Sequence, residues 1–145
     1  MRVLVLNGPN LGSLGRREPE VYGSRTLADL ESMLAARAAE LGIQLHCLQS
    51  NHEGQLIDWI EREVVGTDAI IINPGAFTHY AWSIHDALAA FVGPIVEVHI
   101  SNPNAPEPWR HTSVIAPVAT GSIMGFGMHG YRLAVEAVAA KLDAS

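Results

Sequence analysis

Cysteine is almost missing from this chain. Cys47 is the one cysteine in 145 residues, so no internal disulfide can form, and no Cys-x-x-Cys or Cys/His cluster marks a structural zinc. Cys47 sits in an apolar stretch and reads as an inert thiol. Charge is also sparse: charged residues make up 17% of the chain and the net is -6. That balance removes the basic footprint of a nucleic-acid binder, and an arginine serving an anionic ligand must act locally against it. No apolar run approaches the roughly 20 residues of a membrane span. The opening Met1-Arg2-Val3-Leu4-Val5-Leu6 is too short for a signal segment, lacks a cleavage site and reads as a strand, so a cytoplasmic location is expected. Histidines are present without ligand spacing. His79 and His85 are six apart, and His46, His52, His111 and His129 have no partners in register, which disfavours a metal. No repeat, low-complexity tract or interdomain linker interrupts the chain.

What is present fits one domain, residues 1–145. The 48% hydrophobic content is ample for a core, and fits either strands buried on both faces or a subunit interface. Short apolar runs alternate with helical periodicity. Strands are expected at Val3 to Leu6, Ile43 to Leu48, Ala69 to Ile72, Ile95 to Ile100 and Ser113 to Ala116. Helices are expected at Thr26 to Leu41, Glu53 to Val65, Tyr80 to Phe91 and Tyr131 to Leu142. Thr26 can cap the first helix and Gly42 can end it. This alternation predicts an α/β fold: a flavodoxin-like five-stranded parallel sheet, order 2-1-3-4-5, with helices on both faces.

In such sheets ligands bind beyond the carboxyl ends of the strands. The long segment from Asn7 to Gly23 follows the first strand. It carries glycines and Arg16-Arg17, and a loop of this length is often a lid; solvated surface charge is the plainer reading. It has neither a P-loop Lys-Ser/Thr nor dinucleotide glycine spacing. Asn73-Pro74-Gly75-Ala76-Phe77-Thr78-His79 offers a turn and a polar Asn73 suited to a hydroxyl. Turn chemistry accounts for Pro74 and Gly75, and capping for Thr78, but neither requires His79. Strand alternation puts Glu97 and His99 on one face, where a carboxylate orients an imidazole and favours its charged form. A satisfied structural histidine is the competing reading. Trp109-Arg110-His111 brings a guanidinium, the natural clamp for a carboxylate, to the same rim. The glycines at 121, 125, 127 and 130 read mainly as close packing before the last helix.

In this order and at these separations, the segments resemble type II 3-dehydroquinate dehydratases over nearly the whole chain. The resemblance rests on Leu6-Asn7-Gly8-Pro9-Asn10-Leu11, Gly15-Arg16-Arg17-Glu18-Pro19 through Tyr22-Gly23, and Gln49-Ser50-Asn51-His52-Glu53-Gly54. It rests also on Asn73-Pro74-Gly75-Ala76, Thr78-His79 and Glu97-Val98-His99-Ile100-Ser101-Asn102-Pro103. It implies a lyase of the shikimate pathway, or of quinate breakdown, that converts 3-dehydroquinate to 3-dehydroshikimate with neither metal nor organic cofactor. Tyr22 would be the base that takes a proton alpha to the ketone, with Arg17 favouring the tyrosinate. Holding a phenol as its anion near neutral pH takes roughly 3–4 kcal/mol, which a desolvated guanidinium is suited to supply. Asn10 would help hold the enolate. His99, oriented by Glu97, would protonate the departing hydroxyl. Asn73, His79, Ile100, Ser101 and Arg110 would bind substrate, and Asp86 would reach it from a neighbouring subunit. A homo-oligomer follows, typically a dodecamer of trimers, with an active-site lid over about 9–24.

Three positions depart from the family pattern. Asn104-Ala105-Pro106 stands where His-Ala-Arg is common, Ala81 where serine is common, and His85 where arginine precedes Asp86. The missing arginine leaves open a paralogue with altered substrate preference, or one that binds a polyol acid without turnover. A flavin or phosphoacceptor module fits less well, since the first loop lacks both a phosphate-binding Ser/Thr and an acidic pocket.

Overall fold

Val3, Leu4, Val5 and Leu6 are all buried, so β1 (Arg2–Asn7) must be covered on both faces. A computed structural model of the chain describes residues 1–16, 18–102 and 107–144, with the side chains of Val21 and Tyr22 outside the description. Among these residues, β1 pairs in parallel with β2 (Gln44–Gln49) on one side and β3 (Ala69–Asn73) on the other. The sheet continues through β4 (Ile95–His99) to β5 (Gly121–Met124), all parallel, in the order β2-β1-β3-β4-β5. The expected fold class and strand order are therefore observed.

Strand parity divides the core. Val3, Val5, Ile71, Val96 and Val98 face α2 (Leu27–Glu40) and α5 (His129–Asp143). Leu4, Leu6, Ile70, Ile72 and Ile95 face α3 (Glu53–Glu63) and α4 (Trp82–Ala89). Each fully buried aliphatic side chain contributes about 1.5–3 kcal/mol of transfer free energy. A one-turn helix α1 (Pro19–Tyr22) interrupts the long first connection. No helix among the described residues is long and apolar enough to cross a membrane.

The helix stop and start signals act as local chemistry requires. Thr26 and Asp29 exchange side-chain-to-backbone hydrogen bonds in a capping box at the start of α2. At its end Gly42 has φ +71°, and the N–H groups of Ile43 and Gly42 donate to the carbonyls of Ala38 and Ala39 at 2.8 and 3.2 Å. That is a Schellman stop, in which the left-handed residue is best a glycine. Cys47 is half-buried on β2, and burial, helped by the Glu31 charge, pushes its thiol up to about 11.

The fifth strand lies elsewhere than at Ser113 to Ala116. Val114 and Ile115 are buried in the layer beneath α4, while the Ser113 hydroxyl accepts from the Ile115 and Ala116 N–H groups and turns the chain into a 3-10 turn at Ala116–Val118. The strand is instead Gly121–Met124, in the stretch whose glycines suggested packing. It is a short edge strand, partly exposed, so it carries little hydrophobic pattern.

Candidate functional site

Four strands end in a polar side chain at the same edge of the sheet: Asn7 on β1, Gln49 on β2, Asn73 on β3 and His99 on β4. Register aligns Asn7 with both Gln49 and Asn73. Beyond this edge opens a cavity of about 160 Å³ lined by Asn10, Asn73, His79, His99, Ile100, Ser101 and Arg110, along with Pro9, Leu11, Leu14, Gly75 and Ala76. Of the residues singled out in the sequence, Glu97 lies behind this wall. Asp86 is apart from it on α4, 82% exposed and 3.1 Å from His85 Nδ1. Arg17, the Tyr22 side chain and Pro106 lie outside the described residues.

His99 is fixed from below. Its Nε2 lies 2.6 Å from Glu97 Oε2; a carboxylate only accepts, so Nε2 carries a proton and Nδ1 is the nitrogen left to exchange one with a ligand. Glu97 shares parity with Ile95, which turns it toward the α4 layer. There it is fully buried and accepts from the Thr78 and Ser113 hydroxyls, the latter at 3.0 Å. Burial pushes the Glu97 carboxyl upward. The hydrogen bonds from His99 and Thr78, the His99 charge and the Ser113 bond outweigh that and hold it below the usual carboxylate range. Glu97 is therefore an anion with every donor aimed at it. Thr78 and Ser113 were not singled out in the sequence for this role, and Thr78 looked like a cap.

On the other parity, Asn73 Oδ1 accepts from the Gly75 N–H at 3.1 Å, and its Nδ2 donates to the Tyr131 hydroxyl at 2.8 Å. Asn73 keeps one donor and one acceptor, the complement of a ligand hydroxyl. Asn10 holds a left-handed backbone, φ 69°, with its N–H donated to Asn51 Oδ1 at 3.0 Å. Gly8 makes this approach possible: a Cβ there would lie 2.7 Å from the Pro74 carbonyl oxygen.

His79 Nδ1 donates to the Thr112 carbonyl at 2.7 Å, and its ring meets the Trp109 ring edge-on at 5.1 Å. The Arg110 guanidinium lies 4.2 Å over Trp109 and 3.3 Å from a Glu107 oxygen. That rim ion pair is solvent-exposed and worth at most about 1 kcal/mol, so an incoming carboxylate can replace it at little cost.

The profile of the family "Dehydroquinase class II" matches residues 1–139. The chain belongs to the class II dehydroquinase family. A relative in Roseiflexus castenholzii named 3-dehydroquinate dehydratase is 59% identical over 136 residues, spanning 94% of this chain and 87% of that one. Another with the same name, in Anoxybacillus flavithermus, is 55% identical over 138 residues, spanning 95% and 93%. The crystal structure of the type II dehydroquinase from Butyrivibrio crossotus superposes with a TM-score of 0.92 at 46% identity, covering 95% of this chain and 97% of that one. Class II dehydroquinase membership gives the cavity its setting. Outside the cavity lining, Tyr131 has the largest fully buried side chain among the described residues, and burial pushes its phenol above the ordinary value despite the Asn73 hydrogen bond. It is a fixed neutral partner to its neighbours and no candidate for a base.

Proposed function

We propose that this chain is a type II 3-dehydroquinate dehydratase, a lyase removing water from 3-dehydroquinate to give 3-dehydroshikimate in the shikimate pathway. One observation carries the reading beyond family membership. Residues drawn from separate strand ends and loops converge on one cavity, with a Glu97-backed imidazole in its wall and a guanidinium at its rim. Such a set can grip a hydroxylated, carboxylated ring and protonate a leaving hydroxyl.

In this reading Tyr22 removes the proton alpha to the ketone, with Arg17 holding the tyrosinate. The order matters, because the ketone acidifies that carbon and the resulting enolate then expels the hydroxyl. Asn10 stabilises the enolate oxygen. His99 gives its proton to the departing hydroxyl as general acid, and Glu97 holds the imidazole in place. Asn73, His79, Arg110 and the Ile100-Ser101 backbone hold hydroxyls and carboxylate, and residues about 9–24 close over them. Neither metal nor organic cofactor takes part. Asp86, exposed on α4, serves the site of a neighbouring subunit in a dodecamer of trimers, in the cytoplasm.

Incubation with 3-dehydroquinate, followed by proton NMR, tests the reaction. The expected result is one new vinylic signal, from loss of water. A spectrum that stays that of the substrate would overturn the assignment, and binding without conversion would favour the non-catalytic paralogue.

A further inference from the structure

Asn7 and Asn73 are the last residues of adjacent strands and stand in register. Both side chains fall on the α5 side of the sheet, where Tyr131 enters between them with no exposed surface. The Tyr131 hydroxyl donates to Asn7 Oδ1 at 2.6 Å and accepts from Asn73 Nδ2 at 2.8 Å. The direction of the chain is forced from one end. A backbone N–H can only donate, so the Gly75 N–H fixes Asn73 Oδ1 on its side. The Asn73 amide must then face Tyr131, whose oxygen accepts and whose single proton must go to Asn7.

We propose that Tyr131 is a positioning residue for substrate binding: anchored by Asn7, its hydroxyl locks the Asn73 carboxamide in the one orientation that serves a substrate hydroxyl. Without it, Asn73 keeps one partner and its amide can rotate, and Asn7 Oδ1 is left buried and unpaired. Tyr131 itself does not line the cavity. The inference rests on the reading of Asn73 as a substrate-binding residue.

Steady-state kinetics on 3-dehydroquinate for Asn73→Ala, Tyr131→Phe and the double variant separate the possibilities. Tyr131→Phe is expected to raise KM roughly five- to tenfold with kcat within about twofold, the scale of one neutral hydrogen bond. The double variant should match Asn73→Ala alone, because Tyr131 acts through Asn73. A lowered Tm with wild-type KM would mean a merely structural hydroxyl and overturn the proposal, as would additive effects in the double variant. An unchanged KM in Asn73→Ala would overturn the reading of Asn73 itself, a failure distinct from that of Tyr131. If Tyr131→Phe does not fold, Asn7→Ala carries the test. With its acceptor gone, the Tyr131 proton turns toward Asn73 and competes with the amide, so KM should rise, and an unchanged KM would overturn the proposal.

Discussion

His99 Nε2 sits 2.6 Å from Glu97 Oε2, two residues back on the same face of β4, with the carboxylate fully buried beneath the imidazole. Glu97→Gln keeps the shape and removes the charge, and places an amide N–H₂ among groups that donate. Turnover should fall about ten- to a hundredfold, part of the roughly 10²–10⁴ that general acid–base catalysis supplies. Turnover at the wild-type level would count against this role.

Glu97 also makes stability depend on acid. Its folded-state carboxyl lies below the ordinary value, so its contribution is complete above the unfolded value of about 4.3 and fades as pH falls through the lower folded one. Urea unfolding between pH 7 and pH 3 should show a steeper acid-side loss in wild type than in Glu97→Gln. Equal slopes would contradict the assignment of a buried, ionised Glu97.

Much of this was legible in the sequence. The first four strands, the Thr26 cap, the Gly42 stop and polar residues such as Asn73 and His99 follow from local signals, namely alternation, capping chemistry and polarity at strand ends; the strand order follows from fold statistics, and Asn10, Ile100 and Ser101 from the family resemblance. What was hidden is long-range. Thr78 meets Glu97 across 19 residues, and Tyr131 meets Asn7 across 124. Along α5, Tyr131 is simply one more buried position in line with Ala134, Val135 and Val138, and nothing local says that its hydroxyl has partners. β5 escaped because an edge strand led by Gly121 and Ser122 carries little apolar signal, whereas Val114 and Ile115 are apolar for a different layer.

Arg110 is poised over Trp109 with the rim residue Glu107 as a counter-ion. Arg110→Ala should raise KM roughly ten- to a hundredfold, the scale of a charge-assisted hydrogen bond. Arg110→Lys should restore little of it, since a point charge offers neither the planar fork nor the stacking. Full rescue by lysine would show that charge alone is used.

Gly8 is a packing constraint beside the site. Gly8→Ala sets a methyl 2.7 Å from the Pro74 carbonyl oxygen, against backbone that can yield only by moving the turn that carries Asn73. A loss of about 1–3 kcal/mol is expected from such overpacking, together with a raised KM. Thermal unfolding and kinetics at wild-type levels would show that the turn relaxes freely.

The most direct test of the account follows the ultraviolet absorbance of the conjugated enone as purified protein meets 3-dehydroquinate in the presence of chelator. Wild type should produce the chromophore at a rate independent of chelator. Tyr22→Phe and His99→Ala should each bind substrate yet lose about 100-fold or more of that rate. A silent wild type, a rate abolished by chelator, or a Tyr22→Phe variant as fast as wild type would contradict the cofactor-free mechanism assigned to this cavity.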